Sequence, residues 1–281
     1  MESYKRTRKE KLDDLYFETI NKLRYVKFLY EKTFKGKHKQ LEKNIELKDI
    51  HKGKRCFVIG NGPSINNQDL TLLKDEIVFM VNRAFLDPRY EAIKPTYHVI
   101  VDPKLSTGEW PITFLDEIVK KNPNVTFLLN SSWCDIDIFQ PYKEKCKIYW
   151  IDQSLNFTPF IENRKIDLRK RTYSKFVVEQ GITVAIYMGL KGIYFTGVEG
   201  NGLAYLMMDK SSHSYGVNKE DLDLKWENIA RSYQSGSYWL KSWNSISQYC
   251  KLNNIQFYNL TIGGIMTMTE RKDFDSIVTK K

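Results

Sequence analysis

The residues of this chain best suited to chemistry sit where short apolar runs end. Phe57-Val58-Ile59 passes into Gly60-Asn61-Gly62-Pro63-Ser64, where two glycines allow backbone angles closed to other residues and Ser64 is placed to cap a following helix. A strand, a tight turn and a helix N-terminus in that order present backbone N–H groups and a positive dipole end, which favour a nucleotide phosphate. Without a ligand the same segment is a plain strand-to-helix turn, and a lone Gly-x-Gly does not separate the two. Other runs end in Asn82-Arg83, Asp102-Pro103-Lys104, Asn130-Ser131-Ser132 and Thr196-Gly197-Val198-Glu199. Strand ends are often polar loops, but five ends rich in amide, hydroxyl and carboxylate groups predict a ring around a polar ligand.

Group transfer at such a ring needs a base for the acceptor hydroxyl and a cation for the departing phosphate. His213, in the small polar loop Ser211-Ser212-His213-Ser214-Tyr215 near Tyr205, is the expected base, with Glu199 as its substitute. His38 and His51 precede the main pattern, and His98 lies within an apolar run where a packed imidazole is expected. Arg83 ranks first for the cation, ahead of Lys104 and Arg271. Asp102 and Glu199 could instead pair around magnesium, which would serve pyrophosphate transfer from ATP.

Strands that would position these groups are expected at 55–60, 77–81, 96–101, 125–129, 147–151, 192–196 and 255–259. Helices fit 68–74, 111–121, 176–189 and 239–252, and this alternation implies an α/β fold with a mostly parallel sheet covered by helices on both faces. Ligands in such sheets bind beyond the carboxyl ends of the strands. Between about 200 and 238 the alternation fails in favour of an aromatic-rich insert that includes Tyr205, Tyr215, Trp226 and Tyr233, and a lid is expected there. The main domain is expected over 51–281, after a basic amphipathic extension over 1–50. Within that extension one helix from about Lys9 to Lys35 carries Leu12, Leu15, Tyr16, Ile20, Leu23, Val26 and Tyr30 at helical spacing. Its stripe has three possible fates: its own domain, a second subunit in a homo-oligomer, or an anionic membrane surface.

Net charge is +10, and residues 1–50 hold 14 Lys/Arg against 9 Asp/Glu, which points to anionic partners. Nucleic acid is not expected, since zinc-finger spacing, an RNA-binding aromatic motif and a heptad-plus-basic-region pattern are all missing. Cys56, Cys134, Cys146 and Cys250 are scattered without a Cys-x-x-Cys pair and read as reduced thiols in or near the core. With no secretory leader and no long apolar run, the expected location is cytoplasmic, on the inner membrane face if the first helix binds lipid.

Three segments carry a family resemblance. Phe57 to Ser64, Val78-Phe79-Met80-Val81-Asn82-Arg83 and Ala185 to Glu199 occur in the order seen in the bacterial sialyltransferases of glycosyltransferase family 42. The chain is even more similar to proteins of polysaccharide gene clusters that resemble the archaeal hydroxymethylpterin diphosphokinase, including the tail from Asn259 to Phe274. The resemblance spans about 54 to 275. It implies a variant Rossmann-like (GT-A-like) fold and a metal-independent transferase, with no cofactor beyond its donor substrate, a CMP-activated sugar. The acceptor would be a glycan or lipid-linked sugar of a bacterial surface polysaccharide. It implies that Gly60, Asn61, Gly62 and Asn82 hold the nucleotide; the ring of strand ends adds Pro63, Ser64, Asn130, Ser131, Thr196 and Gly197 beside them. Asp102 stands where the family has an Asn and is assigned to the ribose, because a carboxylate repels phosphate. Tyr205 falls on one of two phosphate-stabilising tyrosines; the other falls at Gly200-Asn201, and the family's basic His falls on Ser237. The alternative that the resemblance leaves is a magnesium- and ATP-dependent pterin-type diphosphokinase.

Overall fold

The computed structural model describes residues 6–158, 165–174, 176–208, 210–216 and 225–279. Seven apolar runs form the strands β1 (Arg55–Ile59), β2 (Ile77–Val81), β3 (Tyr97–Ile100), β4 (Thr126–Asn130), β5 (Lys147–Ile151), β6 (Gly192–Thr196) and β7 (Gln256–Asn259). The helices are α1 (Arg8–Lys35), α2 (Tyr90–Ile93), α3 (Lys104–Thr107), α4 (Phe114–Lys121), α5 (Gln140–Lys145), α6 (Val177–Tyr187), α7 (Gly202–Met207), α8 (Trp226–Leu252) and α9 (Phe274–Val278). All strand pairs are parallel, in the order β5-β4-β3-β2-β1-β6-β7. The fold is the expected α/β Rossmann-like one, and the strands are mostly apolar because both faces are covered.

The chain lays down β1 to β5 stepwise in one direction, then recrosses the sheet through α6 to place β6 on the other side of β1. Short connecting helices with Leu73, Phe85, Tyr90, Leu115 and Phe139 cover one face. α6 and α8 cover the other, where Phe195 meets Trp243 at 4.7 Å. Gly181 seats α6 on the sheet, since a Cβ there would lie 3.1 Å from Val58 Cγ1. Running antiparallel to the strands, α6 brings its first turn to their carboxyl ends.

Three local expectations change. Residues 68–74 form only a 3-10 turn, Leu70–Leu73, capped by Asp69. Ser64 caps no helix: Gly62 leads a 3-10 turn, Pro63–Asn67, and Ser64 is buried inside it. The insert at 200–238 is partly helical, because α7 lies within it and α8 starts at Trp226 rather than 239, while residues 217–224 lie outside the described part.

α1 begins with a reciprocal capping box between Thr7 and Glu10 and stops at Gly36, whose φ of 62° suits glycine. The following 3-10 stretch, Lys39–Leu47, belongs to the core, with Leu41 and Leu47 buried and Asn44 Nδ2 donating to the Trp150 and Leu168 carbonyls at 2.8 and 2.7 Å. The expected boundary at residue 50 therefore falls inside continuous packing. No helix among the described residues is long and apolar enough to cross a membrane.

Candidate functional site

The sheet reverses its order at β1 and β6, so the crevice beyond their carboxyl ends is where this topology binds ligands. Two loops cross there at backbone contact. Gly60 N–H donates to the Thr196 carbonyl at 2.8 Å and Gly62 N–H to the Gly197 carbonyl at 2.9 Å. A Cβ on Gly60 would lie 2.3 Å from the Gly197 oxygen, and one on Gly197, whose φ is 68°, would lie 2.5 Å from the Gly60 oxygen. The glycines are thus required by loop crossing, a different reason from the phosphate approach expected of them.

Glu199 corrects the sequence reading most sharply. Its buried carboxylate accepts from Ser64 N–H at 2.8 Å and fills the space over Gly62, where a Cβ would lie 1.6 Å from Oε2. Its own backbone carbonyl accepts from Ile265 N–H at 2.7 Å. The carboxylate occupies the anion position of the loop itself, so Glu199 acts as a lock between loops in place of an available base. Thr196 is also consumed, since its hydroxyl donates to Gln68 Oε1 at 2.6 Å while Gln68 Nε2 donates to the Leu260 carbonyl at 2.7 Å.

The insert folds down onto this crossing. Ser214 N–H donates to the Asn61 carbonyl at 2.8 Å, and Asn66 Nδ2 donates to the Ser214 carbonyl at 3.2 Å. His213 stacks on Tyr215 with ring centroids 5.1 Å apart, and the Arg83 guanidinium lies 5.7 Å from the Tyr215 centroid. Arg83 also lies 5.8 Å from the centroids of Trp110 and Phe114, so its charge is held in an aromatic surround. Three expected members, His213, Arg83 and the Gly60–Ser64 loop, therefore come together. Tyr205 lies on α7, which approaches the same loop where Gly202 faces Ser212.

Asn82 is held in a special conformation. Its φ is 48°, its Oδ1 is buried without a hydrogen-bond partner among the described residues, and its carbonyl meets His98 Nε2 at 2.7 Å. His98 is completely buried, touches Tyr90 Oη through Nδ1 at 2.8 Å, and burial depresses its pKa to about 4, so it clamps Asn82 as a neutral ring. The packed role expected for His98 is the one found. His38 and His51 lie elsewhere, on Glu31 and Tyr97.

Other expected members are engaged in local contacts. Asn130 caps its own turn by accepting from Ser132 N–H at 3.0 Å, and Ser131 is buried with its carbonyl facing Gln40. β4 stands three strand spacings from β1, about 14 Å away. Asp102 turns Oδ1 to Lys104 N–H at 3.0 Å. Arg271 is committed to the carbonyls of Thr261, Gly263 and Gly264 and braces that loop.

Sequence reasoning missed the first turn of α6. Gln180 is fully buried and neither Oε1 nor Nε2 has a partner among the described residues. Buried Ser64 Oγ and Asn201 Oδ1 are likewise unpartnered at this end of the sheet. A buried polar atom without a partner is costly, and a concentration of them at one end of a sheet marks a place for a polar ligand or water. The available signal was a polar Glu179-Gln180 pair opening a helix that is otherwise apolar. A cavity of about 600 Å³ lies between α1, Leu155 and residues 165–173, lined among others by Lys22, Tyr25, Lys170 and Arg171.

Residues 32–201 match the model of the family described as "6-hydroxymethylpterin diphosphokinase MptE-like". The chain belongs to this MptE-like family. No curated protein sequence matches it. Among solved structures, it is similar to the sialyltransferase CstII from Campylobacter jejuni in complex with cytidine-5'-monophosphate, at 18% identity over 78% of this chain and 85% of that one, with a TM-score of 0.47. It is also similar to the MAf glycosyltransferase from Magnetospirillum magneticum AMB-1, at 12% identity over 84% of this chain but only 38% of that one, with a TM-score of 0.48. The monofunctional alpha-2,3-sialyltransferase Cst-I from Campylobacter jejuni matches at 18% identity over 76% and 78% of the two chains, with a TM-score of 0.43.

Proposed function

We propose that this MptE-like chain is a glycosyltransferase that moves a sugar, sialic acid-like or a related acidic sugar, from a CMP donor to a glycan hydroxyl without a bound metal ion. The observation that carries the reading is the docking of the His213 loop on Asn61 and Asn66, which gathers an imidazole, an aromatic-held guanidinium and the crossed Gly60–Ser64 loop. In this proposal His213 takes the acceptor hydroxyl's proton as that oxygen attacks the anomeric carbon. The bond from that carbon to the phosphate oxygen breaks, and its electron pair leaves with CMP beside Arg83. Asn82 Oδ1 and Gln180 supply the acceptor and donor groups that a ribose and a base edge require.

Pterin-type diphosphokinase, the activity in the family's description, remains the second reading because the chain belongs to that family. It needs side chains that grip magnesium on two phosphates. Asp102 and Glu199 do not form that pair: they follow β3 and β6, three strand spacings or about 14 Å apart, and each accepts from a backbone N–H. Among the described residues no cluster of three or more His, Cys, Asp or Glu could hold a metal ion.

The test is CMP release from a CMP-sugar in the presence of EDTA. His213→Ala should abolish release while leaving CMP binding intact, and Arg83→Ala should slow it by about 10²–10³-fold. Turnover of ATP and hydroxymethylpterin with magnesium, and none of the CMP-sugar, would overturn the proposal.

A further inference from the structure

α1 lies on the protein with its polarity largely inverted, Phe28 being buried beside two polar residues. Glu18 and Asn21 are buried on the inner side, where Asn21 and the Asn156 backbone exchange two hydrogen bonds of 2.9 Å and Thr158 reaches Glu18 at 3.2 Å. Phe17 packs edge-on against Tyr238 at 4.8 Å, and Lys241 reaches Asp13 at 3.7 Å, so the helix is fixed in place. The apolar stripe faces out: Leu12, Tyr16, Leu23, Val26 and Tyr30 are between 52% and 64% exposed. With Leu15, Leu29 and Phe34 these residues present on the order of 1,000 Å² per copy, against about 800 Å² per partner in a standard interface. A patch this large on one helix marks an interaction surface.

The spacing of the exposed stripe says what covers it. Leu12, Tyr16, Thr19, Leu23, Val26 and Tyr30 follow intervals of four and three in strict alternation, the seam of a two-helix coiled coil. Antiparallel pairing with a second α1 sets Leu12 opposite Tyr30, Tyr16 opposite Val26 and Thr19 opposite Leu23, each twice by symmetry. At the flanks, Asp13 then faces Lys27 at both ends, Leu15 faces Leu29, and Ile20 meets its own copy; the one like-charge meeting is Lys22 with itself at the axis. Parallel pairing would set Lys22 against Lys27 twice in mid-helix, and its opposite pair, Arg8 with Asp13, would lie only at the first turn. An anionic bilayer would favour cations along both flanks, whereas these flanks carry Asp13, Leu15, Ile20 and Leu29 beside Lys22 and Lys27.

We infer that α1 is the interface of an antiparallel homodimer, formed by a second copy of this chain across the Leu12–Tyr30 seam. The interface is isologous and closes on itself, so it yields a dimer and no fibre. It is independent of the reaction assigned to the crevice.

Light scattering on the full chain should give the dimer mass, and Leu23→Lys with Val26→Lys should give a monomer with unchanged helix content and melting temperature. Register is read by oxidising Thr19→Cys and Leu23→Cys chains; the native thiols are buried or half-buried and give a low background. Antiparallel pairing predicts a cross-link only when the two variants are mixed. Each variant cross-linking to itself would overturn the antiparallel register, and a monomeric wild-type chain would overturn the dimer. A monomer that floats with phosphatidylglycerol vesicles, and loses flotation in the double-lysine variant, would assign the face to a membrane instead. A dimer that survives the double-lysine change would overturn the assignment of the interface to α1.

Discussion

The crevice at β1 and β6 and the outer face of α1 are opposite kinds of incompleteness. In the crevice, Ser64 Oγ, Asn82 Oδ1, Gln180 and Asn201 Oδ1 are taken out of water without partners among the described residues. On α1, Leu23, Val26 and Tyr30 remain in water although nonpolar. Each departs from a general rule, the first that buried polar groups are paired and the second that large apolar patches are covered. Polar orphans call for a small ligand rich in donors and acceptors, whereas an exposed heptad seam calls for another helix.

Perturbing the loop crossing tests the crevice half most severely. Gly62→Ala drives a Cβ into the Glu199 carboxylate, and the expected loss is about 4 kcal/mol or more, seen as a collapse in melting temperature or no soluble protein. Adding Glu199→Ala should recover part of it by clearing the space. Full stability of Gly62→Ala alone would show that Glu199 is not locked there.

Acid should weaken the same region through His98. Its folded pKa of about 4 lies below the ordinary 6.5, so between those values the unfolded chain binds a proton that the folded chain refuses. Stability from this group is full above about pH 6.5 and falls as pH drops towards 4, by on the order of 3 kcal/mol. Denaturant melts across that window would show the slope, and His98→Asn should flatten its upper part.

The smallest effect is the most diagnostic. Replacing Gln180 by Met removes two orphan atoms, so the free protein should gain about 1 kcal/mol while nucleotide binding weakens. A group that fails to pair in the free state but pairs with ligand gives these opposite signs; a structural glutamine would lose on both. Leu23→Lys on α1 is the control, since it should leave nucleotide binding unchanged.

All seven strands were legible as apolar runs bounded by turn residues, because a parallel sheet covered on both faces demands such runs. Their spatial order was not. Gly60-Asn61-Gly62 and Asn130-Ser131 look equally suited to a ligand in sequence, yet only the first lies where α6 reverses the strand order. Glu199 was legible as a polar strand-end residue, but its partner at Ser64 is 135 positions away and leaves no local signal. The stripe on α1 was legible from its period; that its polar face turns inward depends on Asn156 and Thr158, which periodicity cannot see.

Thermal stabilisation by CMP in EDTA, compared with ATP plus magnesium, tests the central claim most directly. CMP alone should raise the melting temperature of the wild-type chain, and by less in Gln180→Met. Stabilisation by ATP only with magnesium, and none by CMP, would contradict the account.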